Sequence, residues 1–325
     1  MTARDLLPIV AVVAIIALAP LFTSSNTVLN FLTFALIVAL AAQGWNILGG
    51  FGGQFSFGHA AFFGTGAYAT AILQMRFGVN AWVGFALGLA AGALIGAAIG
   101  YLSFRSGLRG SYFALVTLAF AEVFRIVANA AEMTGGAAGM LIRLDVRPSN
   151  FQFGSRAAFF WIALALVALT LALTRWIERS RFGARLVAIR ENEEAAQALG
   201  VDTLRTKLAA IALSGGVTGA AGCLYAQYFL FIDANIAYGT WISVEALLAP
   251  IIGGAGTAFG PLAGALALHG LGEATKLFAF RVPGIDLALF GCVLVVTVAF
   301  APDGILGLIR RLGRAGRPAP APAKT

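Results

Sequence analysis

The 325 residues are 60% hydrophobic and 11% charged, where soluble domains carry about 25% charged residues. A soluble fold of this length has too little interior to hide that much apolar surface, which excludes a water-soluble enzyme or binding domain and leaves a polytopic α-helical membrane protein. The net charge of +8 therefore bears on membrane orientation and not on nucleic acid.

A membrane-crossing helix needs roughly 20 predominantly apolar residues. Such stretches lie at about 6–22, 28–48, 57–75, 81–104, 110–131, 157–177, 207–230 and 285–301. The first follows Arg4 and contains Ala17-Leu18-Ala19, a pattern similar to a secretory signal with its cleavage site. Asp5 beside Arg4 and Pro20 after that site argue that the segment stays as a span. In span two, Gln43 and Asn46 stand one turn apart and read as interhelical hydrogen-bonding groups. His59 opens span three beside Gly58. It reads as one hydrogen bond to a neighbouring helix, with gating or proton carriage as the functional alternative.

In span four Gly84, Gly88, Gly92, Gly96 and Gly100 recur every four residues, a smooth face for close helix contact. Span five carries Glu122 near its middle with Arg125 three residues on. An ionisable group at that depth is a functional candidate by default, and the alternative is a pair that satisfies itself at a helix interface. The stretch 243–272 is too long for one ordinary span and is broken by Gly253-Gly254-Ala255-Gly256 and then Gly260-Pro261. It reads as two shorter crossings or a re-entrant pair, since irregular backbone at that depth must be buried in protein or line a wet cavity. Glu245 lies at the outer start of this stretch, wet or beside the helix N-terminus, and His269 in its second half reads as His59 does. Cys223 and Cys292 are small hydrophobes inside apolar runs, and no spacing of His, Cys and carboxylates suggests a metal.

The count is ten crossings. With a cytoplasmic N-terminus, fifteen Arg and Lys residues fall inside and six outside: Arg76, Arg143, Arg147, Arg156, Lys276 and Arg281. The positive-inside rule then places both termini in the cytoplasm. Residues 1–310 read as a single membrane domain, followed by a basic Pro/Ala-rich tail, 311–325, expected to be disordered.

Among the cytoplasmic connections 178–206 is exceptional in length. From about Arg185 to Leu199 the pattern is helical, with Leu186, Ile189, Ala196 and Leu199 on one face. Gly200 stands where a left-handed residue ends a helix. Periodicity alone fits a helix on lipid headgroups. Glu191, Glu193 and Glu194 weaken that reading, because anionic headgroups repel them, and favour a docking helix for a cytoplasmic partner.

Glu194-Ala195-Ala196-x-x-x-Gly200 resembles the EAA motif of bacterial ABC importer permeases, departing from the pattern downstream by one extra residue and by Ser214 where the pattern has proline. Gly53-Gln-Phe-Ser-Phe-Gly-His-Ala-Ala-Phe-Phe-Gly-Thr-Gly-Ala-Tyr68, Leu108 to Glu122, Met133 to Gly139, Ala188 to Glu193, Ile252 to Pro261 and Phe300 to Gly304 are similar to the signatures of branched-chain amino acid permeases, in detail the LivM type. The resemblance implies the permease subunit of an ATP-driven importer for branched-chain or related small amino acids in the bacterial inner membrane. It also implies a paralogous permease partner, two cytoplasmic ATPases, a periplasmic binding protein, and the ten-helix architecture of the vitamin B12 importer type, a fold-level analogy. Arg190, Glu191, Glu193, Glu194, Ala195, Ala196 and Gly200 would then form the ATPase-coupling surface. His59, Glu122, Arg125, Gly253, Gly254 and Gly256 would be the translocation or gating candidates. No G-x-x-x-x-G-K-[ST] phosphate loop occurs, so ATP is expected to be hydrolysed by partner chains, and no cofactor is expected in this one. A urea or short-amide importer shares the same permease motifs. A third reading, an ion-coupled secondary transporter, would need carboxylates or broken helices arranged as an ion site, for which only Glu122 and the 253–261 break are available.

Overall fold

The computed structural model describes residues 3–22, 25–278, 291–292, 295 and 304–307. The expected tail lies outside them, as does the span at 285–301 apart from 291–292 and 295. Apolar runs form helices because no other single segment satisfies its own backbone in lipid. In chain order these are α1 (Ala3–Ala17), α2 (Ala19–Phe22), α3 (Asn26–Trp45) continued by a π-helical turn (Asn46–Phe51), α4 (His59–Phe77), α5 (Ala81–Arg105) and α6 (Gly110–Ala130). Then follow α7 (Arg156–Arg179), α8 (Arg181–Glu191), α9 (Glu193–Ala198), α10 (Thr203–Phe229), α11 (Ala234–Ala237), α12 (Thr240–Gly253) and α13 (Gly260–Phe278). A two-residue antiparallel ladder joins β1 (Met140–Leu141) to β2 (Phe231–Ile232), with Met140 opposite Ile232.

Six helices among the described residues are long and apolar enough to cross a membrane, and Leu6–Phe22 is a shorter apolar stretch. The molecule is a polytopic helical membrane protein. The first expected span is interrupted at Leu18. Pro20 has no N–H to continue the ladder and disfavours helical geometry just before it. Side-chain caps fix several starts: Asn80 accepts from the Trp82 N–H, Ser155 from Ala157, and Asp202 from Arg205. The stretch 243–272 does divide, into the hairpin of α12 and α13 around 254–259.

The helix α10 lies at the centre, against α3, α4 and α5. The apolar windows of α3 and α10 are 83% and 72% buried and that of α6 only 28%, so α6 is peripheral. The glycine stripe of α5 faces α10. A Cβ on Gly92 would stand 2.5 Å from the Gly215 carbonyl oxygen, whereas one on Gly84 would meet nothing nearer than 3.6 Å. Gly92→Ala is therefore expected to destabilise the purified protein by about 1–3 kcal/mol, because backbone cannot step aside as a side chain can. Gly84→Ala is expected to be neutral or slightly stabilising, since Ala is the better helix former. Thermal unfolding of the two variants in one detergent checks the contrast.

The connections sort to two ends as the alternation of spans requires. One end gathers 52–58, 106–109, 180–202 and 254–259, joined by Arg109 to Glu194, Arg190 to Gly50 and Gly256 to Asn46. The other gathers 78–80, 131–155 and 230–239, joined by Asn80 to Ser149, Arg76 to Glu132 and the β1–β2 ladder.

Candidate functional site

The expected single helix from Arg185 to Leu199 is two helices, α8 and α9, broken at Asn192. That residue is extended (φ −159°, ψ 104°) and its Oδ1 accepts from the Ala195 N–H at 2.9 Å. Asn is among the strongest N-caps, and here the cap outcompetes helix continuation. Glu193 and Glu194 consequently occupy the first turn of α9, where the helix dipole favours negative charge. The end of α9 is the one expected. Gly200 is left-handed (φ 86°), its N–H bonds to the Gln197 carbonyl at 3.0 Å, and the Val201 N–H bonds to that of Ala196 at 3.0 Å. This is a Schellman closure.

The break also turns α9. Leu186, Ile189 and Ala196 are buried as expected, but Leu199 is 86% exposed. Glu193 points inward: its carboxylate takes the Lys207 ammonium at 2.6 Å and the Arg109 Nε at 3.4 Å. Lys207 is itself buried and lies 4.8 Å from the centre of the Phe104 ring, a cation–π contact. Glu194 points outward, with Arg109 at 3.5 Å as its ion-pair partner, a contact worth little at such exposure. Glu194, Ala195, Leu199 and Gly200, with Glu191 at the end of α8, thus form an exposed surface around a short helix whose other side is pinned to α10 and Arg109.

Arg190 leads inward from this surface. Its Nη1 donates to the Gly50 carbonyl at 3.0 Å, and its Nε and Nη2 donate to Glu191 at 3.1 and 2.8 Å. Gly50 belongs to the π-helical turn that also carries Asn46. The Asn46 carboxamide holds the loop between α12 and α13 by both of its ends. Its Oδ1 accepts from the Gly256 N–H at 2.8 Å and its Nδ2 donates to the Thr257 carbonyl at 3.0 Å. The next residue, Ala258, is held at both its N–H and its carbonyl. Gln43 Nε2 donates to the Ala258 carbonyl at 2.8 Å, and the Ala258 N–H donates to Glu178 at 2.8 Å. Thr174 of α7 donates to Gln43 Oε1 at 3.1 Å. Gly253 ends α12, while Gly254 and Gly256 take positive φ (123° and 73°) in the turn, a conformation side chains resist.

The other candidates lie apart from this network. His59 Nε2 meets Ser214 Oγ of α10 at 2.8 Å, the single interhelical bond expected of it. Glu122 and Arg125 pair with each other at 2.5 and 2.9 Å, and Arg125 also donates to Asn235 at 2.7 Å. Glu245 is not at a wet helix start: it stands 3.8 Å from His269 across the α12–α13 hairpin. The partnerships of Arg109, Lys207 and Glu178 are not legible in the sequence, because they join segments with no shared periodicity.

A family model described as the permease component of branched-chain amino acid transport systems matches residues 27–298. The chain is 29% identical to the high-affinity branched-chain amino acid transport system permease protein LivM of Escherichia coli, over 95% of this chain and 76% of that protein. It is 28% identical to LivM of Salmonella typhimurium, over 91% and 74%. With the Salmonella permease protein LivH the identity is 26%, over 86% of this chain and 94% of that one. No solved structure matches the chain.

Proposed function

The chain belongs to the branched-chain amino acid transport permease family, and we propose that it is the permease subunit of an ATP-driven importer of branched-chain or related small amino acids. Similarity to both LivM and LivH proteins supports a second, paralogous permease as its membrane partner. Two cytoplasmic ATPases and a periplasmic binding protein complete the assembly, which would sit in the bacterial inner membrane. In this reading residues 1–310 make ten crossings with both termini in the cytoplasm, and the end carrying α8 and α9 faces the ATPases.

The observation that carries the proposal is the construction of α9. A six-residue helix is too short to be stable alone, yet it is held by a buried ion pair and presents Glu194, Ala195 and Leu199 to solvent. A cytoplasmic subunit docked there would push on a rigid handle. Displacement of α9 would pass to α10 through Glu193 and Lys207. Displacement of α8 would pass through Arg190 to the π-helical turn, and through Asn46 to the loop between α12 and α13. Tilting of these helices is the rocking that alternates access to a central pathway.

Glu194→Lys is the direct test. It reverses a charge on an exposed side chain and leaves the Glu193–Lys207 pair in place, so folding is expected to persist while co-purification of the ATPases is lost. Retention of the ATPases by the variant would remove the docking role from α9.

A further inference from the structure

At the end of the bundle opposite α9, a cavity of about 360 Å³ opens between the starts of α3 and α7, the end of α10 and the connection 144–154. Its volume falls at the small end of the range for small-molecule sites. Phe153 and Phe159 form an aromatic wall, with ring centroids 5.3 Å apart, and Phe159 lies 5.3 Å from Tyr228. The Tyr228 hydroxyl donates to Asn30 Oδ1, so these two polar groups satisfy each other.

Two others are not satisfied in this way. Gln227, 1% exposed, also lines the cavity. Its Nε2 donates to Gln74 Oε1 at 2.7 Å, but its own Oε1 is a buried acceptor with no hydrogen-bond donor among the described residues. Leaving such a group unpaired costs about 1–3 kcal/mol. Arg156 lines the same cavity, and its guanidinium, a five-donor group, makes one long hydrogen bond among the described residues, to the Asn26 carbonyl at 3.4 Å. The cavity therefore offers a cation, a buried acceptor in need of a donor, and an apolar wall. An occupant must bring an anion, an N–H or O–H donor and an apolar body.

We infer that this cavity binds a free α-amino acid with an apolar side chain, its carboxylate on Arg156, its ammonium on Gln227 Oε1 and its side chain against Phe153 and Phe159. The assignment rests on the importer reading above and deepens it, since it places a first binding site on the side from which substrate arrives. A phosphatidylethanolamine headgroup carries the same pairing of ammonium and acid anion. The small volume favours the free amino acid, because a diacyl lipid would leave its chains outside.

The test uses the assembled importer in nanodiscs of phosphatidylcholine, whose headgroup has no N–H, with radiolabelled L-leucine in equilibrium dialysis without ATP or binding protein. Saturable leucine binding is expected, weakened roughly tenfold or more by Arg156→Gln and by Gln227→Leu. Gln227→Glu, which keeps an acceptor oxygen, is expected to retain it; this near-isosteric variant guards against misfolding as the cause of the loss. Absence of binding, or binding by both disabling variants as tight as that of the wild type, would overturn the assignment. So would loss of leucine binding when phosphatidylethanolamine replaces phosphatidylcholine, which gives the site to lipid. ATP-driven leucine uptake by the same importer in proteoliposomes, with ATP and the binding protein now supplied, separates the two levels. Uptake without binding here overturns the cavity assignment alone, and absence of uptake overturns the importer reading with it.

Discussion

Lys207→Met is expected to destabilise the protein by about 3–5 kcal/mol, the usual cost of removing one partner from a buried ion pair. The Lys207 and Glu193 side chains are 5% and 14% exposed and their charged atoms lie 2.6 Å apart. With the ammonium gone, Glu193 would keep only the Arg109 Nε at 3.4 Å, a contact at the protein surface that solvent weakens. The double variant Lys207→Met with Glu193→Gln is expected to recover much of the loss, because two neutral groups need no mutual charge compensation. Arg109, with a side chain 53% exposed, can be hydrated once freed. Thermal unfolding of the wild type, both single variants and the double variant forms a cycle whose interaction energy reports the pair. Equal destabilisation in the single and double variants would show that Lys207 acts through its packing on Phe104 and not through Glu193. A second readout follows from position. The pair joins α9 to α10, so ATPase retention should fall with Lys207→Met and return with the double variant.

Much of the bundle is readable from the chain because a bilayer imposes one rule on every crossing. Among the described residues, the long apolar runs are helical, and α5, α6 and α7 begin and end within two residues of the expected limits. The turn between α12 and α13 was legible for the opposite reason: Gly253-Gly254-Ala255-Gly256 and Pro261 cannot continue a helix cheaply. The misses share a physical cause, which is competition between a local rule and a single side chain. Asn192 sits in a helical pattern, but its amide captures the Ala195 N–H and starts a new helix. Leu199 then leaves the apolar face that periodicity assigned to it. Lys207 is the first residue of the expected span 207–230, and the fold buries it under Glu193 and Phe104. Glu245 looked wet because it opens a stretch, and only the hairpin brings His269 beside it. The candidate site was legible as far as its exposed surface on α9. Its inner connections were not, since Arg190 to Gly50 and Asn46 to Gly256 each join residues far apart in sequence.

Asn46→Leu is expected to abolish uptake while leaving ATPase binding and ATP hydrolysis in place. Asn46 is fully buried, and its carboxamide satisfies one N–H and one carbonyl of the loop between α12 and α13. Leucine has similar bulk but no polar atoms, so both loop groups lose their partner, at about 1–3 kcal/mol each. The loop cannot replace them internally, because its Thr257 hydroxyl is already committed to the Gly254 carbonyl at 2.8 Å. The docking surface on α9 is untouched by the change, which separates this variant from Glu194→Lys. Asn46→Asp should fall between: its oxygen can still accept from Gly256, but a second oxygen faces the Thr257 carbonyl and repels it. Uptake and ATP hydrolysis measured on the same proteoliposomes decide the matter. Parallel loss of both would mean that Asn46 merely supports the fold. Hydrolysis without uptake would mean that force reaches Arg190 and the π-helical turn and stops there, one turn short of the loop it has to move.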